Sequence, residues 1–168
     1  MQSFDEMFAL YFGRVYRFAL SLTRSTALAE DITQQTFFKA LKKIESFEGR
    51  SDPGTWLCSI AKNEYFSLRK RGREQAEPPD STLFMGRAAD AAEHAENEAT
   101  LMQIHRHLHE LEEPYREVFM LRVFGELKYA QIGSLFGKKD SWARVIYYRA
   151  KLKLQEKIKE DEGGQADV

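Results

Sequence analysis

The chain has 168 residues, which is enough for one domain or two small ones. Its apolar fraction of 43% is ordinary for a globular protein and excludes disorder throughout. The one cysteine, Cys58, excludes an internal disulfide framework and fits a reducing compartment. No run of about 18 apolar residues is present and the N-terminus lacks a basic leader, so we expect a cytoplasmic protein.

The net charge of −1 hides an uneven charge distribution. Residues 1–72 carry 11 basic against 8 acidic residues, and residues 113–157 carry 10 against 5. Residues 73–112 reverse the balance, with 3 basic against 9 acidic residues. Local charge, rather than net charge, sets the electrostatic field near a phosphate. The two basic blocks are therefore compatible with binding to nucleic acid.

The first half of the chain predicts three helices. Phe4 to Thr23 has apolar residues at steps of three and four. A second helix, about Ala27 to Lys43, follows a cap at Ser25 or Thr26. Its apolar residues occupy more than one stripe, so some must face outward. This pattern fits either a partner-binding surface or the buried central helix of a bundle.

The third predicted helix, roughly Gly54 to Arg71, follows a loop and has Pro53 suited to its first turn. It combines Asn63 and aromatic residues with a basic end, a mixture typical of surfaces that bind single-stranded nucleic acid. The alternative is that Trp56 and Phe66 lie in the core while the basic run caps the helix in solvent. For Trp56 we favour the core.

Residues 72–89 are rich in proline, glycine and polar residues and predict an interdomain linker. Helices are expected again at residues 90–111 and 115–124, separated by Pro114, and the chain from Gly163 is expected to fray. No strand pattern of useful length appears. We therefore predict an all-α protein of two small helical domains, residues 1–72 and 98–159, with a flexible linker at 73–97 and an acidic tail at 160–168.

The segment from Tyr129 to Leu154, YAQIGSLFGKKDSWARVIYYRAKLKL, predicts a short helix, a tight turn and a longer basic helix. Gly137 suits a left-handed C-cap, and Asp140 or Ser141 can cap the second helix. That helix is expected to bury Ala143, Ile146, Tyr147 and Ala150 and to expose Arg144, Tyr148, Arg149 and Lys151. The pattern indicates a DNA-reading helix-turn-helix; the alternative is an ordinary helical hairpin.

Evidence for an enzyme or a metal centre is weak. Cys58 lies among apolar residues and is expected to be a small buried hydrophobe. Of His105, His107 and His109, only the first and last share a helix face, which is too few ligands for a convincing metal site. We expect no catalytic residues, no metal or other cofactor, and no small-molecule substrate.

Two separated stretches resemble the bacterial RNA polymerase sigma factors of the extracytoplasmic-function (ECF) type, in the sigma-70 family. In the first domain, AEDITQQTFFKAL is similar to their core-polymerase-binding segment and SFEGRSDPGTWLCSIAKNEYFSLRKR to their promoter-melting segment. In the second, LEEPYREVFMLRVFGELKYAQIGSLFG and WARVIYYRAKLKL resemble their fourth conserved region. The resemblance covers about residues 3–72 and 98–155.

The resemblance implies a sigma factor that binds core RNA polymerase and directs promoter-specific initiation, in a stress or envelope response. Its first domain would capture the promoter −10 element as a single strand, and its second would read the −35 duplex. The family also implies an anti-sigma factor, often membrane-anchored, that covers these surfaces. The alternative is a stand-alone helix-turn-helix regulator that binds duplex DNA unaided.

Site residues follow from these roles. Arg144 is expected to contact a guanine edge at the −35 element, with nearby lysines and arginines on phosphates. Lys138, Lys139 and Asp140 make the turn more charged than is usual in the family, and this leaves the −35 preference open. The expected −35 contacts are Lys138, Lys139, Ser141, Trp142, Arg144, Val145, Tyr148 and Arg149.

Asn63 is expected to hydrogen-bond a base extruded from the −10 duplex, next to a pocket walled by the preceding loop. The expected −10 contacts are Phe47, Arg50, Ser51, Asn63, Arg69, Lys70 and Arg71. The resemblance, rather than periodicity, places the polymerase contacts on the second helix, at Asp31, Gln34, Gln35, Phe38 and Lys42.

Overall fold

The computed structural model describes residues 3–47, 49, 51–72 and 102–165. Within these ranges every regular element is helical, as the sequence predicts. The predicted linker, residues 73–97, and the last three residues lie outside them. The helices are α1 (Phe4–Thr23), α2 (Thr26–Lys43), a 3₁₀ turn (Ile44–Ser46), α3 (Pro53–Lys70), α4 (residues 102–110), α5 (Tyr115–Val123), α6 (Tyr129–Leu135) and α7 (Asp140–Gln165).

Local capping explains where the first helices begin. The Ser3 hydroxyl accepts a hydrogen bond from Glu6 N at 3.3 Å, and Ser3 N donates to Glu6 Oε2 at 3.1 Å, which forms a capping box for α1. Ser25 caps α2 by accepting from Leu28 N at 3.3 Å. Asp52 caps α3 through Thr55 N at 3.1 Å, directly before Pro53 at the first helical position.

The first domain is a three-helix unit built from α1, α2 and α3. Phe18, Ile32 and Leu57, one from each helix, are almost completely buried against one another. Cys58 is also fully buried, as expected for a small hydrophobe. The predicted outward apolar positions on α2 are confirmed, because Phe38 and Leu41 remain 52% and 48% exposed.

The second domain packs α4 to α7 around Leu108, Leu121 and Ile132, which are fully buried. Within its helix-turn-helix, Gly133 lets α6 approach the following turn, since a β-carbon there would lie 2.7 Å from the Lys139 carbonyl oxygen. Gly137 has a φ of 65°, which confirms the predicted left-handed position.

The helix α7 extends further than the sequence suggests. It begins at Asp140 and continues to Gln165, so the residues from Gly163 that were expected to fray are helical as far as they are described. Asp161 Oδ2 accepts hydrogen bonds from three side chains of α4, those of Gln103, Arg106 and His107, at 2.9, 2.8 and 2.7 Å. These contacts explain why the last turns of α7 stay helical.

The two domains pack directly against each other. Arg14 Nε of α1 donates to Glu126 Oε2 at 3.1 Å. Nε2 of His109 lies 2.8 Å from the Ser21 carbonyl oxygen at the end of α1. A third contact is the ion pair between Lys62 of α3 and Glu117 of α5. None of the described helices is long and apolar enough to cross a membrane.

Candidate nucleic-acid and polymerase surfaces

The face of α7 turned away from the core is basic and aromatic. Ala143, Ile146 and Ala150 are buried as predicted, while Tyr147 is half-buried. Tyr148 is 61% and Val145 46% exposed. Arg144, Arg149 and Lys151 are exposed beside them, and with Tyr129 of α6 these side chains line an open groove of about 470 Å³. An exposed basic helix after a tight turn has the geometry needed to enter a DNA major groove.

The predicted DNA contacts in the turn before α7 and in the first turn of α7 differ in their exposure. Lys138, Lys139 and Ser141 are exposed and free to reach phosphates. Trp142 is half-buried, and its ring lies 5.2 Å from that of Phe136. Trp142 therefore packs the start of α7 onto the end of α6, which accounts for a large residue at this position.

The exposed face of α3 carries an amide, a ring and a cation in succession. Asn63, Phe66 and Lys70 recur at steps of three and four, so they share one side of the helix. Phe66 is 38% exposed, which contradicts its placement in the core and favours a surface for bases. Arg69 and Arg71 are exposed at the same end. We term Asn63, Phe66 and Lys70 the α3 face.

The loop before α3 is tied to that helix by aromatic stacking. The rings of Phe47 and Trp56 lie 4.4 Å apart with an interplanar angle of 20°. Trp56 is partly buried against the core, which agrees with the interpretation favoured for it. Ser51 is exposed. Arg50, also predicted to contact DNA, lies outside the described residues.

The five predicted polymerase contacts all lie on one exposed side of α2. Asp31, Gln34, Gln35, Phe38 and Lys42 recur with helical spacing and are all exposed. Nζ of Lys42 lies 4.3 Å from the centroid of the Phe38 ring. A half-exposed ring flanked by an acid, two amides and a lysine forms an apolar centre with a polar surround, as interfaces require. We call these five residues the α2 face.

Sequence reasoning missed Lys62, which links the two domains. Its Nζ lies 2.7 Å from Oε1 of Glu117 in α5 and 4.3 Å from the centroid of the Phe136 ring. Burial raises the pKa of Glu117, while the Lys62 ammonium acts in the opposite direction. The helical pattern of α3 marks Lys62 only as polar. Its partners are more than 50 residues away in sequence, so no local signal identifies them.

The histidines of α4 serve packing rather than a shared metal site. Burial, reinforced by the charge of Arg24, lowers the pKa of His105 and of His109 to about 4. His107 instead contacts Glu110 and Asp161, at 3.1 and 2.7 Å. Across the described ranges, no group of three or more histidine, cysteine or acidic side chains is arranged to hold a metal ion. Burial also raises the pKa of Cys58 to about 12, which leaves it inert as a nucleophile.

Comparison with known proteins identifies both domains. Sigma-70 region 2 matches residues 7–74, and Sigma-70, region 4 matches residues 101–154. The ECF RNA polymerase sigma factor SigM of Bacillus subtilis (strain 168) is 28% identical over 154 residues, covering 90% of this chain and 92% of the relative. The RNA polymerase sigma factor YlaC of the same organism is 26% identical over 169 residues, covering 93% and 92%.

A solved structure shows the same architecture. The sigma factor RpoE, in complex with the anti-sigma factor NepR from Bartonella quintana, superposes with a TM-score of 0.73 at 27% identity, covering 93% of this chain and 96% of the other. The two family matches, the two relatives covered over 92% of their length and this superposition agree with one another. The chain belongs to the sigma-70 family of RNA polymerase sigma factors and is of the ECF type.

Proposed function

We propose that this chain binds core RNA polymerase and directs it to specific promoters, where it captures the −10 element as a single strand. The observation that carries this proposal is the exposure of two different nucleic-acid surfaces on two domains. The recognition helix α7 presents cations suited to duplex DNA, and the α3 face presents an amide, a ring and cations suited to an opened strand.

The second domain would read the −35 duplex. Arg144 is exposed near the N-terminal end of α7 and would form two hydrogen bonds with a guanine edge. Lys138, Lys139, Arg149 and Lys151 surround it and would hold phosphates, which fixes the helix in its groove without carrying sequence information. Tyr148 is exposed on the same side and would pack on a sugar or a thymine methyl.

The first domain would hold the −10 element after opening. Asn63 offers both a donor and an acceptor to the edge of an extruded base. Phe66 offers a ring on which a base can stack, a contact worth about 1–3 kcal/mol per base, and unstacking costs a few kcal/mol. Arg69, Lys70 and Arg71 would follow the backbone, while Phe47, Arg50 and Ser51 would wall the base pocket.

The α2 face would dock on core polymerase, which would supply the catalytic chemistry. We assign residues 1–72 to the polymerase and −10 domain and residues 98–159 to the −35 domain. Residues 73–97 would be the linker between them and residues 160–168 an acidic tail. The cytoplasm, where core polymerase acts, is the expected location.

The contact between the domains bears on how the free chain would bind a promoter. Phe136, in the turn before the recognition helix, lies against Lys62, the residue before Asn63. Positions −35 and −10 differ by about 25 base pairs, or roughly 85 Å of B-DNA at 3.4 Å per base pair. The domains must therefore separate before both elements can be bound, and we expect the unaided chain to bind promoters weakly.

An anti-sigma factor is the second expected partner. The related RpoE structure was solved with such a protein, NepR. The present chain exposes apolar side chains on both domains, among them Phe38 on α2 and Leu152 on α7, which a protein partner could cover. We place the sigma factor in a stress or envelope response, with its inhibitor anchored at the membrane as in many members of the type.

Binding to core polymerase tests the proposal. The full chain, mixed with purified core enzyme, should form a stable complex that initiates transcription at a discrete set of promoter fragments. Phe38→Ala should weaken the complex at least about tenfold, as expected for a central interface ring. Leu10→Ala changes a residue on α1 that is 63% exposed and should have no effect. Tight operator binding without polymerase, and no complex with it, would favour the stand-alone regulator.

A further inference from the structure

Arg144 has a side chain that must be oriented before it can read a base. Its side chain is 64% exposed, and a free arginine loses rotamer entropy when it is fixed in one geometry. A bidentate contact to guanine also requires the plane of the guanidinium to match the base edge. A neighbour that holds this side chain in place before DNA arrives would therefore improve discrimination among bases.

Tyr129, the first residue of α6, is placed to do this. Its ring centroid lies 5.5 Å from Cζ of Arg144, although the two residues belong to different helices. Cζ of Arg122 lies 4.4 Å from the same ring centroid. A guanidinium over the face of a ring keeps the N–H groups along its edge free for hydrogen bonding.

The Tyr129 ring is itself fixed by its surroundings. It is half-buried, and the ring of Tyr147 lies 5.9 Å away. Arg122 is anchored in turn, because its Nη1 donates to the Leu127 carbonyl oxygen at 2.9 Å. The ring therefore forms a platform joined to the body of the domain, and it lines the same open groove as Arg144, Tyr148 and Arg149.

Asp140 restrains Arg144 from a second direction. Its Oδ2 lies 3.9 Å from Nη2 of Arg144, one helical turn earlier in α7. Both side chains are exposed, so this ion pair alone is weak in water. Together the carboxylate and the ring limit the directions in which the guanidinium can extend.

We propose that Tyr129 is a positioning residue for promoter readout, whose ring holds the Arg144 guanidinium in the orientation needed to contact a guanine edge. Tyr129 acts through Arg144 and need not touch a base. The proposal rests on the proposed function, since it requires Arg144 to contact the −35 element. It extends the specificity-determining set from the recognition helix to the supporting helix α6.

A selection experiment can measure this effect without knowledge of the promoter. A complex of the full chain with core polymerase would be used to select from promoter fragments randomised across the −35 and −10 regions. Sequencing the bound fragments gives a base preference at each position. Arg144→Ala should abolish a guanine preference at one −35 position and leave the other positions largely unchanged.

Tyr129→Leu should reduce that guanine preference by about threefold, in line with a cation–π contact at an exposed site. Tyr129→Phe retains the ring and should behave as the wild type. Tyr129→Leu should also lower the affinity of the polymerase complex for the selected promoter by about threefold, and in the Arg144→Ala background it should leave that affinity unchanged. This double-mutant comparison isolates an effect that passes through Arg144 from a general loss of packing.

Three outcomes would overturn the proposal. An equal loss of preference at all −35 positions in Tyr129→Leu would show a structural role, as would the same loss of promoter affinity in the presence and in the absence of Arg144. A loss in Tyr129→Phe equal to that in Tyr129→Leu would assign the effect to the hydroxyl. Each of these leaves the proposed function intact. If Arg144→Ala changed no −35 preference, the role assigned to Arg144 would itself fail.

Discussion

Nζ of Lys62 lies 2.7 Å from Oε1 of Glu117, and this ion pair joins α3 of the first domain to α5 of the second. The Lys62 and Glu117 side chains are only 20% and 9% exposed. Lys62 directly precedes Asn63, the residue that we assign to the extruded base. The pair therefore links the packing of the two domains to the helix that, in the proposed function, receives the extruded base.

Removing the cation alone should be costly. Lys62→Met leaves the Glu117 carboxylate buried without its partner, and we expect the free energy of unfolding to fall by about 2 kcal/mol. The combined change Lys62→Met with Glu117→Gln should cost less than the sum of the single changes. Urea denaturation followed by circular dichroism measures these differences.

Lys39→Met provides the matched control, because Lys39 pairs with Glu64 within the first domain and its side chain is 48% exposed. The Glu64 side chain is 15% exposed, but because Lys39 reaches solvent the pair is expected to contribute no more than about 1 kcal/mol. Equal losses in the free energy of unfolding for Lys62→Met and Lys39→Met would show that the interdomain pair stabilises the protein no more than the pair within the first domain.

Stability should fall on mild acidification. The pKa values of His105 and His109 are lowered to about 4 in the folded protein, against an ordinary value of 6.5. Below pH 6.5 the unfolded chain therefore binds more protons, and stability is lost as the pH falls from 6.5 toward 4. Each histidine contributes a slope of up to about 1.4 kcal/mol per pH unit. The raised pKa of Glu117 acts with the opposite sign, because stability falls as the pH rises above 4.5 through its folded value.

The control for this prediction is His109→Gln, which keeps a donor for the Ser21 carbonyl oxygen but does not titrate. Urea midpoints measured between pH 7 and 5 should fall less steeply in this variant than in the wild type. Identical slopes for the two proteins would rule out His109 as a source of the pH dependence.

The end of α7 should depend on one carboxylate. Asp161→Asn replaces the acceptor of three side-chain hydrogen bonds from α4 and should loosen the contact between α4 and the end of α7. Amide hydrogen exchange in residues 102–110 should become faster. Glu162→Gln alters an exposed neighbour on the same turn and should leave exchange unchanged. If neither substitution changed the rate of amide hydrogen exchange in α4, the role assigned to Asp161 would be contradicted.

Phe66 should matter for strand capture and not for folding. It is 38% exposed, and loss of one stacked base by Phe66→Ala corresponds to about 1–3 kcal/mol. We therefore expect binding of a premelted promoter by the polymerase complex to weaken about tenfold. Phe12→Ala, at a ring of 39% exposure on α1, is the control. Equal effects of the two substitutions on strand binding would argue against a base platform at Phe66.

Much of the fold could be predicted because it depends on local signals. The bounds of α1, the proline at the start of α3 and the left-handed Gly137 follow from capping and backbone preferences between near neighbours in sequence. The exposure of Arg144, Tyr148 and Arg149 follows from the 3.6-residue period in the same way. The buried and exposed faces of a single helix can be predicted from its sequence without knowing how the helices pack together.

The features that sequence reasoning missed all depend on distant contacts. Gly163 and its neighbours suggest fraying, yet Asp161 is held by side chains of α4 more than 50 residues earlier. Phe66 fits a core or a surface equally well until the packing of α3 is known. Lys62, like Tyr129, gains its significance from partners on other helices.

The most direct test of promoter-specific initiation is transcription by purified core polymerase on a library of promoter fragments, with and without the full chain. Discrete start sites should appear only when the chain is present. Asn63→Ala should reduce initiation on duplex fragments and weaken binding of fragments premelted at the −10 element, because it removes a contact to the extruded base, whereas Arg144→Ala should shift the −35 preference. Start sites that do not depend on the chain, or that are unchanged by both substitutions, would contradict the assignment.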